Sequence, residues 1–304
     1  MSLLPSATEI VCALGLADRL VGVTHECDWP PEIRGLPAVT KTRIPHDATS
    51  AEIDVLVREQ LATQDALYTL DEERLAALAP DLLVTQALCD VCAVAEAEVE
   101  AAACRLPDVP HVLNLEPMTL ADVLRSVREV GDAAGVDAEP VVAAMEARIE
   151  AVRRAVEGQE RPRVALLEWL DPPFSGGHWN PEIVRLAGGV EVLGREGEPS
   201  RTLTWREVVE AQPEVVVVAC CGFEIARAME DVGVFESVEG WETVPAVRHG
   251  RVVVVDGSGL FARPGPRLVE ATETMAHLLH PDAVPLPASV QPPVWLSAPV
   301  RRAA

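Results

Sequence analysis

Lysine is almost absent from this chain: of its 25 basic residues only Lys41 is a lysine, and they face 48 acidic residues for a net charge of −23. A nucleic-acid surface needs clustered positive charge to displace counterions, so neither nucleic acid nor an anionic membrane surface is an expected partner. Aromatic residues make up only 4% of the chain, with a single tyrosine. No apolar run approaches the roughly 20 residues of a membrane span. The opening residues, Met1 to Ser6, lack the charged and apolar regions of an export signal. The expectation is therefore a cytoplasmic protein as given, or a periplasmic or cell-surface one if the natural chain starts earlier, since Ser2 to Leu4 reads as the tail of a strand. Seven cysteines are an odd number for a disulfide framework and fit a reducing compartment better. What the chain does have is length and apolar content: 304 residues, 49% hydrophobic, suggest about two domains with ample core in a soluble monomer.

Short apolar runs alternate with amphipathic segments, the rhythm of a parallel α/β sheet. Strands are expected at Leu20 to Thr24, Asp81 to Gln86 and His111 to Leu115, with helices at Ala7 to Leu14 and Asp71 to Ala79. Ser6 and Glu9 have the spacing of a capping box. From Thr119 the apolar residues fall at helical spacing until Gly135. A second helix follows, capped by Asp137 and running from Ala138 to Glu157, about 30 Å long. The βα rhythm then resumes, with strands at Val164 to Leu167, Val215 to Ala219 and Val252 to Asp256. Helices are expected at Pro181 to Ala187, Trp205 to Ala211 and Pro266 to Leu279. The segments Leu75 to Cys89 and Val208 to Cys221 share an order of helix, Pro-acid, buried strand and cysteine. The expected organisation is an N-terminal lobe at 1–117, a helical bridge at 118–160, a C-terminal lobe at 161–280 and a proline-rich extended tail at 281–304. The fold class is two Rossmann-like α/β lobes with parallel sheets, joined by a long rigid helix, with a ligand cleft between them.

Parallel sheets bind ligands beyond the carboxyl ends of their strands, and the strand exits here are rich in chemistry. They carry His25-Glu26-Cys27-Asp28-Trp29, Cys89-Asp90-Val91-Cys92, Glu168-Trp169-Leu170-Asp171, the His178-Trp179 loop and Cys220-Cys221. The indoles of Trp29, Trp169 and Trp179 can each offer a flat apolar face to a planar ligand or lid a core. Cys27, Cys89, Cys92 and Cys221 have the composition of a four-thiolate site for zinc or an iron–sulfur cluster, whereas Cys12 and Cys104 read as small buried hydrophobes within helical patterns. His25 can replace one thiolate on zinc. Glu168 or Asp28 beside a metal would give a metal-assisted enzyme, but no nucleophile elbow, Ser-His-Asp order or phosphate loop accompanies them.

The run Ser2 to Glu9, the segment Leu14 to Val23, the motif Cys27-Asp-Trp-Pro-Pro31, the stretch Glu73 to Asp81 and the closing Arg263-Pro-Gly-Pro-Arg267 together resemble class III substrate-binding proteins of the vitamin B12 and iron-siderophore ABC importers. The likeness spans about residues 2–280 and is greatest for the subgroup labelled cobalamin-binding proteins, which carry such His-Glu-Cys-Asp and Cys-x-x-Cys motifs. It implies a non-catalytic clamp that binds a corrinoid or other metal chelate, with contacts from His25, Trp29, Gln86, Glu168, Trp169, His178, Trp179 and Arg263. It also implies an acidic residue on each lobe that docks an ABC permease. Glu73 fits the first; at the second, the repeat places Arg206, with Glu207 one position on. The main alternative is a cytosolic metalloprotein holding its metal through the exit cysteines.

Overall fold

The computed structural model describes residues 1–44, 48–61, 67–86, 94 and 96–297. The chain divides into two compact units, Met1–Pro117 with Ala121–Ala144, and Met118–Leu120 with Met145–Ala304.

The first unit contains α1 (Pro5–Ala13), β1 (Thr40–Thr42), α2 (Ser50–Leu61), β2 (Tyr68–Leu70), α3 (Glu72–Leu78), β3 (Leu82–Gln86), α4 (Glu96–Ala103), β4 (His111–Leu115) and most of α5 (Leu120–Ala134). β3 and β4 pair in parallel from Leu82 opposite His111 to Gln86 opposite Leu115. On the other side of β3 runs the chain start, where Leu3 donates to the Val84 carbonyl at 2.9 Å and Ser2 donates to Gly22 at 3.1 Å. The expected strand at Leu20 to Thr24 is reduced to an isolated bridge, Val23 to Ala38. Pro37 stands next to Ala38 in the partner segment and brings no N–H to extend that ladder. Leu3, Leu83, Val94, Val99 and Leu106 share one buried cluster, which places α4 against the parallel pair.

α1 begins two residues earlier than expected and without a capping box. Leu4 is its N-cap with no side-chain bond, Pro5 occupies the first turn, and Ser6 and Glu9 are buried. Proline fixes the helical φ at the first position, so the helix starts there and Ser6 is drawn inside. Gly135, at φ 71°, ends α5 as expected. α6 (Glu139–Ala155) follows unbroken, its first turn fixed by the Asp137 carboxylate accepting from Glu139 N at 3.0 Å. The division between the two units falls within α6.

The second unit adds β5 (Arg163–Leu170), β6 (Pro173–Ser175), α7 (Asn180–Leu186), β7 (Val190–Glu191), α8 (Trp205–Glu210), β8 (Val215–Val218), α9 (Ile225–Asp231), α10 (Pro245–Arg248), β9 (Val252–Val254), α11 (Leu268–Leu279) and β10 (Val294–Leu296). The sheet order is β10-β9-β8-β5-β6, with β7 also on β5. The centre, β5, β8 and β9, is parallel, and every residue of Val215–Val218 is fully buried, as expected for a strand covered on both faces. Two edges differ from the sequence reading: β6 folds back antiparallel on β5, and the tail adds β10 antiparallel to β9. Three consecutive apolar residues, Val294 to Leu296, after Pro292-Pro293 suffice to complete a sheet edge once β9 offers a free ladder.

The internal repeat has a structural counterpart. Asp71 caps α3 by accepting from Arg74 N, and Thr204 caps α8 by accepting from Glu207 N. Each helix is followed by a non-glycine residue in left-handed conformation, Ala79 at φ 42° and Gln212 at φ 44°, then by Pro80-Asp81 or Pro213-Glu214 and a buried strand. The same sequence order therefore gives the same turn in both units.

Candidate functional site

In the first unit the segment after Val23 and the β1–β2 pair bring together residues distant in sequence. The hydroxyl of Thr40, at the start of β1, lies 2.7 Å from His25 Nδ1 and accepts from His25 N at 3.1 Å. Tyr68, the first residue of β2, meets the His25 ring edge-on at 4.8 Å between centroids and donates its phenolic hydrogen to Glu26. These contacts fix the imidazole plane. Cys27 Sγ lies 3.0 Å from the hydroxyl of Thr8 in α1, which itself donates to Ser2 at 2.9 Å. Trp29 is 37% exposed, so its indole is available at the surface. Gln86 is buried at the carboxyl end of β3. Cys89 and Cys92 lie outside the described residues.

In the second unit Glu168 occupies the end of β5 with a buried carboxylate. Its Oε1 accepts from Gly177 N at 2.8 Å and from Asn180 Nδ2 at 2.7 Å, and its Oε2 accepts from the Ser200 hydroxyl at 2.6 Å. Burial pushes its pKa above the usual carboxylate value, opposed by these three hydrogen bonds. All three donors belong to the 176–200 excursion, so Glu168 fastens that excursion to the sheet. Gly177 makes the approach possible, since a β-carbon there would lie 2.2 Å from Ser200 N.

Beside it, the half-buried Trp169 packs on the buried Phe223 with ring centroids 4.9 Å apart and planes tilted by 45°, and the Arg227 guanidinium covers the Phe223 ring at 4.2 Å while pairing with Asp231 at 3.0 Å. Phe223 is held by Ser258 N donating to its carbonyl at 3.0 Å. Exits of β5 and β8 thus share one aromatic wall stiffened by a cation–π contact. Arg263 is 8% exposed and donates to the Ser258 hydroxyl at 3.4 Å. His178 is half-buried 5.4 Å from the Trp179 ring, and burial lowers its pKa.

The sequence treated the three exit indoles alike, and the structure separates them. Trp179 is 4% exposed and its Nε1 donates to the Phe261 carbonyl at 2.8 Å, so it fills the core of its own unit. Of the expected thiolate set only Cys27 and Cys221 lie among the described residues, and among those residues no group of three or more His, Cys, Asp or Glu is placed to hold a metal. Cys221 is half-buried, with its N–H donated to the Glu168 carbonyl at 2.9 Å, and burial pushes the neighbouring Cys220 thiol up to about 12. Cys104, expected to be buried, is exposed just beyond α4, whereas burial pushes Cys12 up to about 11. Glu73 is exposed on α3. Glu207 is engaged: it closes the Thr204 capping box and pairs with Arg201 at 2.9 Å, contacts that lower its pKa to about 2. Arg206 is more exposed and pairs with Glu210.

Sequence reading missed Tyr68, Phe223 and Arg227. Tyr68 is the only tyrosine of the chain, a signal that was present; Phe223 precedes the Glu224 N-cap of α9, so its contact with Arg227 depends on how the β8 exit turns into that helix, which spacing does not report.

Mixed α/β units with parallel sheets and ligand-type side chains at strand exits define the class of periplasmic binding folds. The periplasmic binding protein family model matches residues 1–258, and the chain belongs to that family. It is similar to an uncharacterized ABC transporter substrate-binding lipoprotein, YvrC, of Bacillus subtilis, 24% identical over 93% of this chain and 80% of that one. It is equally similar, at 24%, to a vitamin B12-binding protein of Vibrio parahaemolyticus, covering 89% of this chain and 85% of that one. Among solved structures, a periplasmic heme-binding protein of Pseudomonas aeruginosa matches with TM-score 0.71 at 21% identity over 95% of both chains. The vitamin B12-binding protein BtuF of Vibrio cholerae matches with TM-score 0.66 at 20% identity, over 91% of this chain and 94% of that one. Among the described residues no helix is long and apolar enough to cross a membrane.

Proposed function

We propose that this protein is the non-catalytic ligand-binding component of an importer, taking a metal chelate with a large flat ring, of the corrinoid or heme class. The observation that carries the reading is the half-buried Trp169 indole near the end of β5, backed by the buried Phe223, whose ring Arg227 covers and whose carbonyl Ser258 holds. Such a surface suits a planar macrocycle, because an indole contributes area without losing much conformational freedom. His25, oriented by Thr40 and Tyr68, supplies the polar contact in the first unit, with Trp29 beside it in sequence. Relatives named for vitamin B12 and for heme support the ligand class, and a lipoprotein relative supports a place outside the cytoplasmic membrane rather than in the cytoplasm. A permease would then be the partner, with Glu73 on α3 as one docking residue and the start of α8, where Glu207 stands, as the other.

Tryptophan quenching on titration with cyanocobalamin, cobinamide, hemin and a ferric siderophore tests this directly. Saturable quenching by one of them at low micromolar concentration is expected. No binding by any of the four at high micromolar concentration would overturn the reading.

A further inference from the structure

The second unit has a concavity at the end of the sheet opposite the strand exits. It is a cavity of about 780 Å³ whose lining includes the half-buried Arg251 and His280 and the exposed Glu160, Arg161, Glu214 and Asp282. Glu214 and Arg251 each stand one residue before β8 and β9, and Arg161 stands two before β5. The cavity is therefore built where the parallel strands begin, and none of its residues belongs to the aromatic wall.

One of its residues, Arg251, lacks the partner that its neighbours have. Glu214 accepts from Arg163 N at 2.8 Å, and Arg161 donates to the Gly189 carbonyl at 2.8 Å. Arg251 is half-buried, and among the described residues its guanidinium makes no hydrogen bond or ion pair. That is unusual in a chain with almost twice as many acids as bases, where Arg148, Arg185, Arg201 and Arg227 each hold a carboxylate at 3.0 Å or less. His280, following α11, is fixed at the cavity wall by Gly188, whose φ of +85° and missing β-carbon let the imidazole approach; a β-carbon there would lie 2.7 Å from Nε2.

We propose that this cavity binds a small tetrahedral oxyanion, of the phosphate or sulfate class, on Arg251, with His280 as a second contact that strengthens when protonated. A half-buried guanidinium is a strong donor for such an ion, because its forked N–H groups match two oxygens at once. Glu160, Glu214 and Asp282, all exposed, disfavour a larger polyanion, while the half-buried Arg251 suits a compact one. Burial, and then repulsion from Arg251, lower the His280 pKa against an opposing backbone contact to Gly188. An anion beside both groups reverses the Arg251 contribution, so binding takes up a proton.

Sulfate is the informative probe, because its charge does not change between pH 6 and pH 8. Isothermal titration of the full chain with low-millimolar sulfate, against chloride at matched ionic strength, is expected to show saturable binding at pH 6 that weakens roughly fivefold or more at pH 8. R251Q abolishes it at both pH values, and H280Q weakens it and flattens the pH dependence. Broadening of the phosphorus resonance of inorganic phosphate by wild-type protein, lost with R251Q, gives a second readout. R251K, which keeps the charge, controls for folding and retains partial binding. Absence of saturable binding of either anion to the wild type, or undiminished binding by a folded R251Q, overturns the proposal. Neither outcome bears on macrocycle binding at the strand exits.

Discussion

Asn180 Nδ2 donates to Oε1 of Glu168 at 2.7 Å and, from the same nitrogen, toward the Phe261 carbonyl at 3.3 Å. One amide at the first position of α7 thus joins the end of β5 to the turn after β9. Through Gly177 and Ser200 the same carboxylate holds the whole 176–200 excursion beside Trp169.

Glu168→Gln is expected to leave stability within about 1 kcal/mol of wild type, since a neutral amide can accept from Gly177 and Asn180 and donate to the Ser200 oxygen. Glu168→Ala strands three buried donors and is expected to cost about 3 kcal/mol. Chemical denaturation of the two variants at pH 7 checks the difference. Equal losses in both would show that the carboxylate's charge, rather than its hydrogen bonding, holds the excursion.

Glu191, at the end of β7, is a second buried acid. Its oxygens accept from the N–H groups of Leu166, Val192, Leu193 and Gly194, yet burial outweighs those bonds and raises its pKa to about 7. The folded state therefore binds a proton that the unfolded chain has lost above its ordinary carboxylate pKa. The stability this gives is full below about pH 4.5 and is lost as pH rises through 7, in total roughly 3 kcal/mol. The melting temperature is expected to fall between pH 5.5 and 8, and a Glu191→Gln protein should show a shallower slope. A rising melting temperature over that interval, unchanged in the variant, would contradict this.

The exit indoles divide into two kinds. Trp169→Ala and Trp29→Ala are expected to weaken macrocycle binding about tenfold, with little loss of stability for the exposed Trp29. Trp179→Ala empties core volume and a buried hydrogen bond and should cost about 3–5 kcal/mol. Parallel ligand titration and thermal denaturation separate the two effects; a Trp179 variant of normal stability would reverse the assignment.

Thiol accessibility gives an independent check on the site. Cys104, exposed beyond α4, should be alkylated before the half-buried Cys12, whose pKa is raised to about 11, and the buried Cys220, raised to about 12, should remain unmodified until the protein unfolds. Mass spectrometry of iodoacetamide-treated protein reads the order. Early modification of Cys220 would mean that the β8 exit opens in solution.

The alternation of apolar runs with amphipathic segments determined the elements of both units. Val215–Val218 is buried on both faces because four consecutive valines suit no other position in a sheet, and Gly135 stops α5 because a left-handed residue is needed there. The Pro-acid repeat likewise makes α3–β3 and α8–β8 equivalents. Which exit residues became available was decided by tertiary structure. Trp29, Trp169 and Trp179 are the same residue type in similar loops, and only packing against Phe261 placed the third in the core. Glu168 was legible as a strand-exit acid, but not its capture by Gly177, Asn180 and Ser200, because those bonds span up to 32 residues and depend on how the excursion closes. Local spacing reports periodicity and capping, which act within a turn or two. Burial and partner choice depend on contacts between segments far apart in the chain, and these exist only after the sheets have formed.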